Sequence, residues 1–357
     1  MIVRLQDVDA ASLSDGPMPK VTVIVAARNE QCHIEEALQS LLNQDYDELQ
    51  ILVVNDRSTD RTGEILDSVA EKNPQLKVIH LTELPAGWLG KNYALYCAAQ
   101  QATGDWLLFT DADVVMAPST VRQAVGYARA NEIDHLSVFP EVKMPTWFLK
   151  AFVIAFAVCF NLFIRPWKAK DPKSKAYVGI GAFNLVRAEV YRAVGTHRVI
   201  AMRLDDDIKL GKIVKHNGYR QEMLNGTEFI YVPWYSSVGE LIDGTMKHFA
   251  GLDYSVLAVM AATTAILVLN VWPFVAVFVT AGSTWLMYIA VVLALLWQSW
   301  ATAGQLKISR DHIFASVLGV LLYVYILWRA MLLALINNGI SWRGTRYPLA
   351  ELKANKV

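Results

Sequence analysis

Residues 106–115 read WLLFTDADVV, an apolar run that stops on two acids one residue apart. Its first part, Trp106 to Thr110, has the length of a buried strand, and Asp111 ends it. Three similar runs lie upstream. Leu76 to Leu81 is one. Leu49 to Val54 ends on Asn55-Asp56, and Val21 to Val25 ends on Arg28-Asn29-Glu30. Between them, Ile34 to Leu42, Thr62 to Lys72 and Lys91 to Ala102 have helical spacing, with Thr59 or Asp60 available to cap the second. Strands alternating with helices predict an α/β domain whose parallel sheet is covered on both faces. Such sheets bind ligands at the C-terminal ends of their strands. Glu30, Asp56 and Asp111 all follow strand ends, so the chemistry is expected there. This pattern runs from residue 20 to about 235.

Beyond residue 250 the chain changes character. Leu252 to Thr280 carries only Asp253 as a charge, Ala281 to Ala303 carries none, and His312 to Ile336 carries only Arg329. Each run is long enough to cross a hydrocarbon core, which takes about 20 apolar residues. Three in succession, rich in Trp and Tyr, predict membrane insertion of residues 251–338. Lys307 and Arg310 mark their loop as cytoplasmic. Three full spans would put the basic segment 339–357 on the far side, against the positive-inside trend. Either Pro273 splits the first run or the last run lies in the interface. A further apolar stretch, Trp147 to Trp167, is expected as an interfacial helix, with a core helix as the alternative. It interrupts the soluble motifs, which lie on both sides of it.

The net charge of zero hides an asymmetry. From Gly251 onward the acids are Asp253, Asp311 and Glu351, against Lys307, Arg310, Arg329, Arg343, Arg346, Lys353 and Lys356. No dense basic stripe with interleaved aromatics occurs, so no nucleic-acid partner is expected. Three cysteines without a CxxC pair argue against a disulfide framework and for a reducing compartment. The polar segment 1–19 has no apolar core of a secretory signal, so the domain after it is expected in the cytoplasm, on a cell membrane crossed several times.

Five groups of residues carry chemistry. Asp111 and Asp113 can approach one hard cation, and Mg²⁺ or Mn²⁺ bound with phosphate needs only one or two protein carboxylates. Asp56, in the run Val53 to Asp60, can accept from a base edge or a ribose hydroxyl. Ala27 and Glu30 close the first strand in the same layer. Lys91 follows Gly87-Trp88-Leu89-Gly90 at a helix start, where an ammonium and free backbone N–H groups favour phosphates. The last group is Asp205-Asp206-Asp207, before Ile208-Lys209-Leu210-Gly211. Acids at a helix start also suit the macrodipole, so a capping role stands beside a catalytic one. In the catalytic reading a crowded acid, its pKa raised, takes a proton from an attacking hydroxyl.

The ordered set ARNE, VVNDRSTD, GWLGKNYAL, FTDADVV, GAFNLVRAEVY and LDDDIKLG resembles the family 2 inverting glycosyltransferases of the GT-A fold. The resemblance covers residues 20 to about 250. It is nearest to integral-membrane members acting on lipids, the hopanoid-associated, carotenoid and ceramide glycosyltransferases. It implies a Rossmann-like nucleotide-sugar-binding domain, a nucleotide-diphosphate sugar donor (UDP above others), a lipid acceptor and a divalent metal. Position by position, it implies that Ala27, Glu30 and Asp56 hold the nucleoside. Lys91 would lie near the base or diphosphate, Asp111 near the ribose or metal, and Asp113 on the metal. Asp207, with Asp206 beside it, would be the acceptor base. Processive relatives carry a QxxRW motif before their membrane part. Here Met246-Lys247-His248-Phe249 occupies that region, which implies a non-processive enzyme.

Two alternatives start from the same acids. A phosphatase of the haloacid dehalogenase type would use Asp111 as nucleophile, but its motif normally opens the domain. A nucleotidyltransferase would need a Gly-rich loop after the first strand, and Ala26 to Glu30 contains no glycine.

Overall fold

The computed structural model describes residues 2–8 and 17–357, so residues 1 and 9–16 of the expected polar segment lie outside the described residues. The chain divides into two compact units. One holds the residues up to Glu141, Arg165–Val232 and Val357; the other holds Val142–Ile164 and Pro233–Lys356.

The first unit contains strands β1 (Val21–Ala27), β2 (Leu49–Asp56), β3 (Leu76–Leu81), β4 (Trp106–Asp111), β5 (Val115–Met116) and β6 (His135–Phe139). After β7 (Glu141–Lys143) at the unit boundary come β8 (Asn184–Arg187), β9 (Gln221–Asn225) and β10 (Ile230–Pro233). Its helices are α1 (Ile34–Leu42), α2 (Thr62–Ala70), α3 (Gly90–Ala99), α4 (Thr120–Ala130), α6 (Ala188–Ala193) and α7 (Asp206–His216). Seven strands form one sheet in the order β3-β2-β1-β4-β8-β6-β9. The run β3-β2-β1-β4 is parallel, as the sequence predicts. The sheet as a whole is mixed, because β8 pairs antiparallel with both β4 and β6. That corrects the all-parallel expectation. The four residues of β8 are too few to show a pattern of their own.

β1 reads as an unbroken apolar run because both of its faces are covered: Val21, Val23 and Ile24 are fully buried. Helix α1 buries Ile34, Ala37, Leu38 and Leu41, spaced to line one stripe facing the sheet. Each fully buried Val, Leu or Ile contributes roughly 1.5–3 kcal/mol. Glu35 and Glu36 occupy the first turn of α1, where the helix dipole favours acids.

The second unit is built from α5 (Trp147–Ile164), α8 (Val238–Gly244), α9 (His248–Gly251), α10 (Val256–Asn270), α11 (Trp272–Val279), α12 (Gly282–Gln305), α13 (Ser316–Ile336), the hairpin β11 (Gly339–Trp342) and β12 (Thr345–Pro348), and α14 (Leu349–Ala354). Three helices are long and apolar enough to cross a membrane, Trp147–Lys168, Gly282–Gln305 and Arg310–Ile336. A fourth candidate is α10 with α11, bent by 48° at the break where Pro273 begins the next helix. Helix α5 is the centre of this unit. Leu149, Phe152 and Val153 pack with Leu241 of α8 and Ile326 of α13. Gly319 lets α13 approach closely, since a Cβ there would lie 2.9 Å from that of Ala155. Arg329, the lone charge of its run, reaches Asp243 at 2.9 Å.

Candidate active site

The C-terminal ends of β1, β2 and β4 lie side by side, with Ala27 opposite Asn55 and Ala26 opposite Asp111. This register brings three separate sequence motifs to one edge. The backbone then turns sharply. Asn29 and Arg57 both take left-handed φ, 54° and 55°. The two turns are tied together: the Asn29 N–H donates to Ser58 Oγ at 3.1 Å, and the Thr59 N–H donates to Asn29 Oδ1 at 2.8 Å. The Glu30 N–H donates to Thr62 Oγ1 at 2.8 Å, which fixes the first loop to the start of α2. Asp60 also serves there, accepting from the Thr62 N–H at 3.0 Å.

Asp56 is buried at the end of β2 between two guanidinium groups, Arg57 at 2.8 Å and Arg28 at 3.7 Å. On its other side lies the first turn of α3. A Cβ on Gly90 would stand 2.2 Å from Asp56 Oδ2, so only glycine fits there. The next residue is Lys91. Its ammonium lies 2.8 Å from Asp111 Oδ1 and 3.4 Å from Asp206 Oδ2. Burial opposes the charge on Lys91, but Asp111, Asp206 and Asp207 outweigh it and hold the group above the usual lysine range.

The three consecutive acids separate cleanly. Asp205 is buried and paired with the buried Arg203 at 2.8 and 3.0 Å, with Lys209 at 3.7 Å. It is an internal ion-pair member. Asp206 turns to Lys91. Asp207 is half-buried, and its Oδ1 accepts from the Ile208 N–H at 2.8 Å. A methyl carbon built on Gly181 would lie 2.7 Å from Asp111 Oδ2 and 3.3 Å from Asp207 Oδ2. Thus Asp111 and Asp207, 96 positions apart by number, present oxygens to the same spot. Gly179 makes this possible by meeting the start of α7 backbone to backbone: a Cβ there would lie 1.8 Å from the Asp207 carbonyl oxygen. Asp113 stands two residues beyond Asp111 in the following turn, partly exposed.

Beneath α7 runs a polar network that sequence reading missed. Asn184 of β8 donates to the Asp207 carbonyl at 3.4 Å and accepts from Ser137 at 3.1 Å and from His135 Nε2 at 2.5 Å. Gln221 donates to His135 Nδ1 at 2.7 Å and to the Gly211 carbonyl at 2.9 Å. With one ring nitrogen donating and the other accepting, His135 is neutral. Burial lowers its pKa to about 4, against the bond to Asn184. His197, buried beside Tyr191 and Phe109, is lowered to about 3 by burial and by the Lys91 charge. Arg28, Arg57 and Gly181 were also missed, although the first two flank predicted residues directly.

The donor set suits a hard cation bound together with a ligand. Asp111 and Asp113 offer carboxylates two positions apart. Among the described residues no three His, Cys, Asp or Glu side chains close into a cage of their own.

Residues 22–195 match the family described as Glycosyl transferase family 2. Among curated proteins, the beta-monoglucosyldiacylglycerol synthase of Synechocystis sp. is 38% identical over 124 residues, covering 34% of this chain and 26% of that protein. The 4,4'-diaponeurosporenoate glycosyltransferase of Staphylococcus haemolyticus is 28% identical over 238 residues, covering 64% of this chain and 61% of that protein. The chain spans 23% to 61% of the length of the first curated relatives it matches. Among solved structures, a mannosyltransferase from Pyrobaculum calidifontis in complex with GDP-Man and Mn²⁺ aligns with a TM-score of 0.49 at 20% identity, over 87% of this chain and 92% of that one. The α/β unit with its mixed sheet, followed in the chain by long apolar helices, fits the GT-A fold of that family.

Proposed function

We propose that the chain, which matches glycosyl transferase family 2 over residues 22–195, moves a sugar from a nucleotide-diphosphate sugar to a lipid acceptor at a membrane. Transfer is single and inverting. The observation that carries this reading is the meeting of Lys91, Asp111, Asp206 and Asp207 at the strand ends beside Gly181.

Asp56, Ala27 and Glu30 bind the nucleoside, with Arg28 and Arg57 orienting the Asp56 carboxylate. Lys91 faces the diphosphate. Asp111 and Asp113 would hold the divalent metal. When bound, the metal supplies positive charge for the phosphate oxygens that leave. Asp207 takes the proton from the acceptor hydroxyl as its oxygen attacks the anomeric carbon from the face opposite the diphosphate. The bond from the anomeric carbon to the phosphate oxygen breaks, and its electron pair leaves with the nucleoside diphosphate. Asp206 keeps Lys91 in place and is not the base. The apolar helices and the names of two curated relatives, one a diacylglycerol glucoside synthase and one a carotenoid-acid glycosyltransferase, support a lipid acceptor. The proposed location is a cell membrane, with the catalytic unit on the cytoplasmic face.

The test is incubation of the purified protein with native lipid extract, Mn²⁺ and a panel of UDP- and GDP-sugars, followed by mass analysis of the lipids. A glycolipid formed by the intact protein, and lost in Asp207→Asn, supports the reading. Transfer at full rate by Asp207→Asn removes Asp207 as the base.

A further inference from the structure

We infer that the chain leaves the bilayer on the face by which it entered, so that the segment after Pro233 crosses it an even number of times. The inference rests on the membrane reading above and adds to it the sidedness of the C-terminal residues.

Helix α5 is fixed first, by connectivity. The strand before it, β6, and the strand after it, β8, are paired neighbours: His135 faces Val186, Leu136 faces Leu185 and Ser137 faces Asn184. One crossing by α5 would put these strands on opposite faces of the membrane. A return would have to run through residues 165–183, which form only a short 3₁₀ turn at Pro166–Lys168 and carry Lys168, Lys170, Asp171, Lys173 and Lys175. Irregular charged backbone does not pass through lipid. Trp147–Lys168 therefore crosses zero times, although its 22 residues meet the length and hydropathy of a span.

The same reasoning applies to the segment from Pro233 to Lys356. It begins where Val232 leaves the catalytic unit. It ends at Val357, which lies in that unit again. Val357 packs against the core cluster that includes Leu210 and Val214, and its carbonyl oxygen accepts from Lys212 Nζ at 2.6 Å. Leu210, Lys212 and Val214 all belong to α7, the helix that carries Asp206 and Asp207. Both ends of the segment thus stand on one side, and the number of crossings between them is even. Three successive spans are excluded.

Arg343, Arg346, Lys353 and Lys356, which follow α13, then fall on the catalytic side, which satisfies the positive-inside trend.

Cysteine labelling of the full chain in sealed membrane vesicles of both orientations tests this, with a membrane-impermeant maleimide as probe. The exposed natural Cys32 reports the catalytic face. In a background of Cys32→Ser, Cys97→Ala and Cys159→Ala, single probes are placed by Asn337→Cys and Lys353→Cys, both at exposed positions. Both are expected to label from the face that labels Cys32. Labelling of either from the other face overturns the even count. Release of the wild-type protein by alkaline carbonate gives a different result: it overturns the membrane reading itself.

Discussion

Polar side chains behave differently in the two units. In the catalytic unit those at and beneath the site reach across the chain: His135 to Gln221 and Asn184, Asn92 to the carbonyls of Ile200, Ala201 and Arg203, Lys91 to Asp111 and Asp206, while Asn73, Asn131 and Asn217 turn back on the helix before them. In the helical unit many turn back on their own helix. Thr245 donates to the Leu241 carbonyl, Thr263 to Val259, Asn270 to Ile266 and Thr280 to Ala276, each four residues earlier. A hydroxyl in lipid needs a partner that is always present, and its own backbone supplies one. A hydroxyl or carboxylate in the catalytic unit can be spent on distant partners, because water and neighbours satisfy the rest. The difference teaches where function resides. The long-range network fixes atoms for chemistry, while the local bonds satisfy polar groups within helices that are otherwise apolar.

Substitutions can break this contrast, beginning with the largest expected effect. Asp207→Asn should lower turnover by ~10²–10⁴-fold, the worth of one acid/base group, with donor binding retained. Steady-state rates and calorimetric donor titration separate the two quantities. Asp205→Ala, two positions away, should act on stability instead. It leaves Arg203 buried without its carboxylate, which costs about 3–5 kcal/mol and reads out as a lower denaturant midpoint. If Asp205→Ala keeps its stability and loses only rate, the division between these two acids is wrong. Gly181→Ala places a methyl group against both Asp111 and Asp207 and should cost on the order of 10²-fold in turnover by displacing them.

Acid should weaken the catalytic unit next. His135 and His197 are held neutral, with pKa lowered to about 4 and about 3 from 6.5. Between those values and 6.5 the unfolded chain binds more protons than the folded one. The stability tied to neutral imidazoles is therefore complete above pH 6.5 and is lost as pH falls through that window. Thermal melts from pH 7.5 to 4.5 should show the catalytic unit weakening, and His135→Gln should flatten part of the slope. The smallest effect is expected in the helices. Thr263→Val removes the acceptor for Trp328 Nε1 at 3.3 Å and should cost only about 0.6 kcal/mol, the average for such bonds between membrane helices.

The parallel half of the sheet was legible because β1, β2 and β4 are unbroken apolar runs, each stopped by a polar residue. The acids at 56, 111 and 206–207 were legible for the same reason, as they sit where a run ends or a helix begins. What remained hidden depends on pairing across long separations. Nothing around Asn184 to Arg187 marks a strand running the other way. The three acids of Asp205 to Asp207 are equivalent in one dimension. Arg203 two residues before and Lys209 four residues after were the available hint that the first is consumed internally. Gly181 carries no chemistry of its own, and its role exists only because two carboxylates arrive beside it. The apolar runs were visible by composition, but which of them crosses is a question of connectivity that hydropathy does not contain.

Lys91 has a consequence for the resting enzyme. Three carboxylates crowd one pocket, and bare they would repel one another and push the strand ends apart. The lysine already among them is a tethered counter-ion. Departure of the product hands the cluster back to a charge that was never free to diffuse away, so the pocket keeps its shape between turnovers.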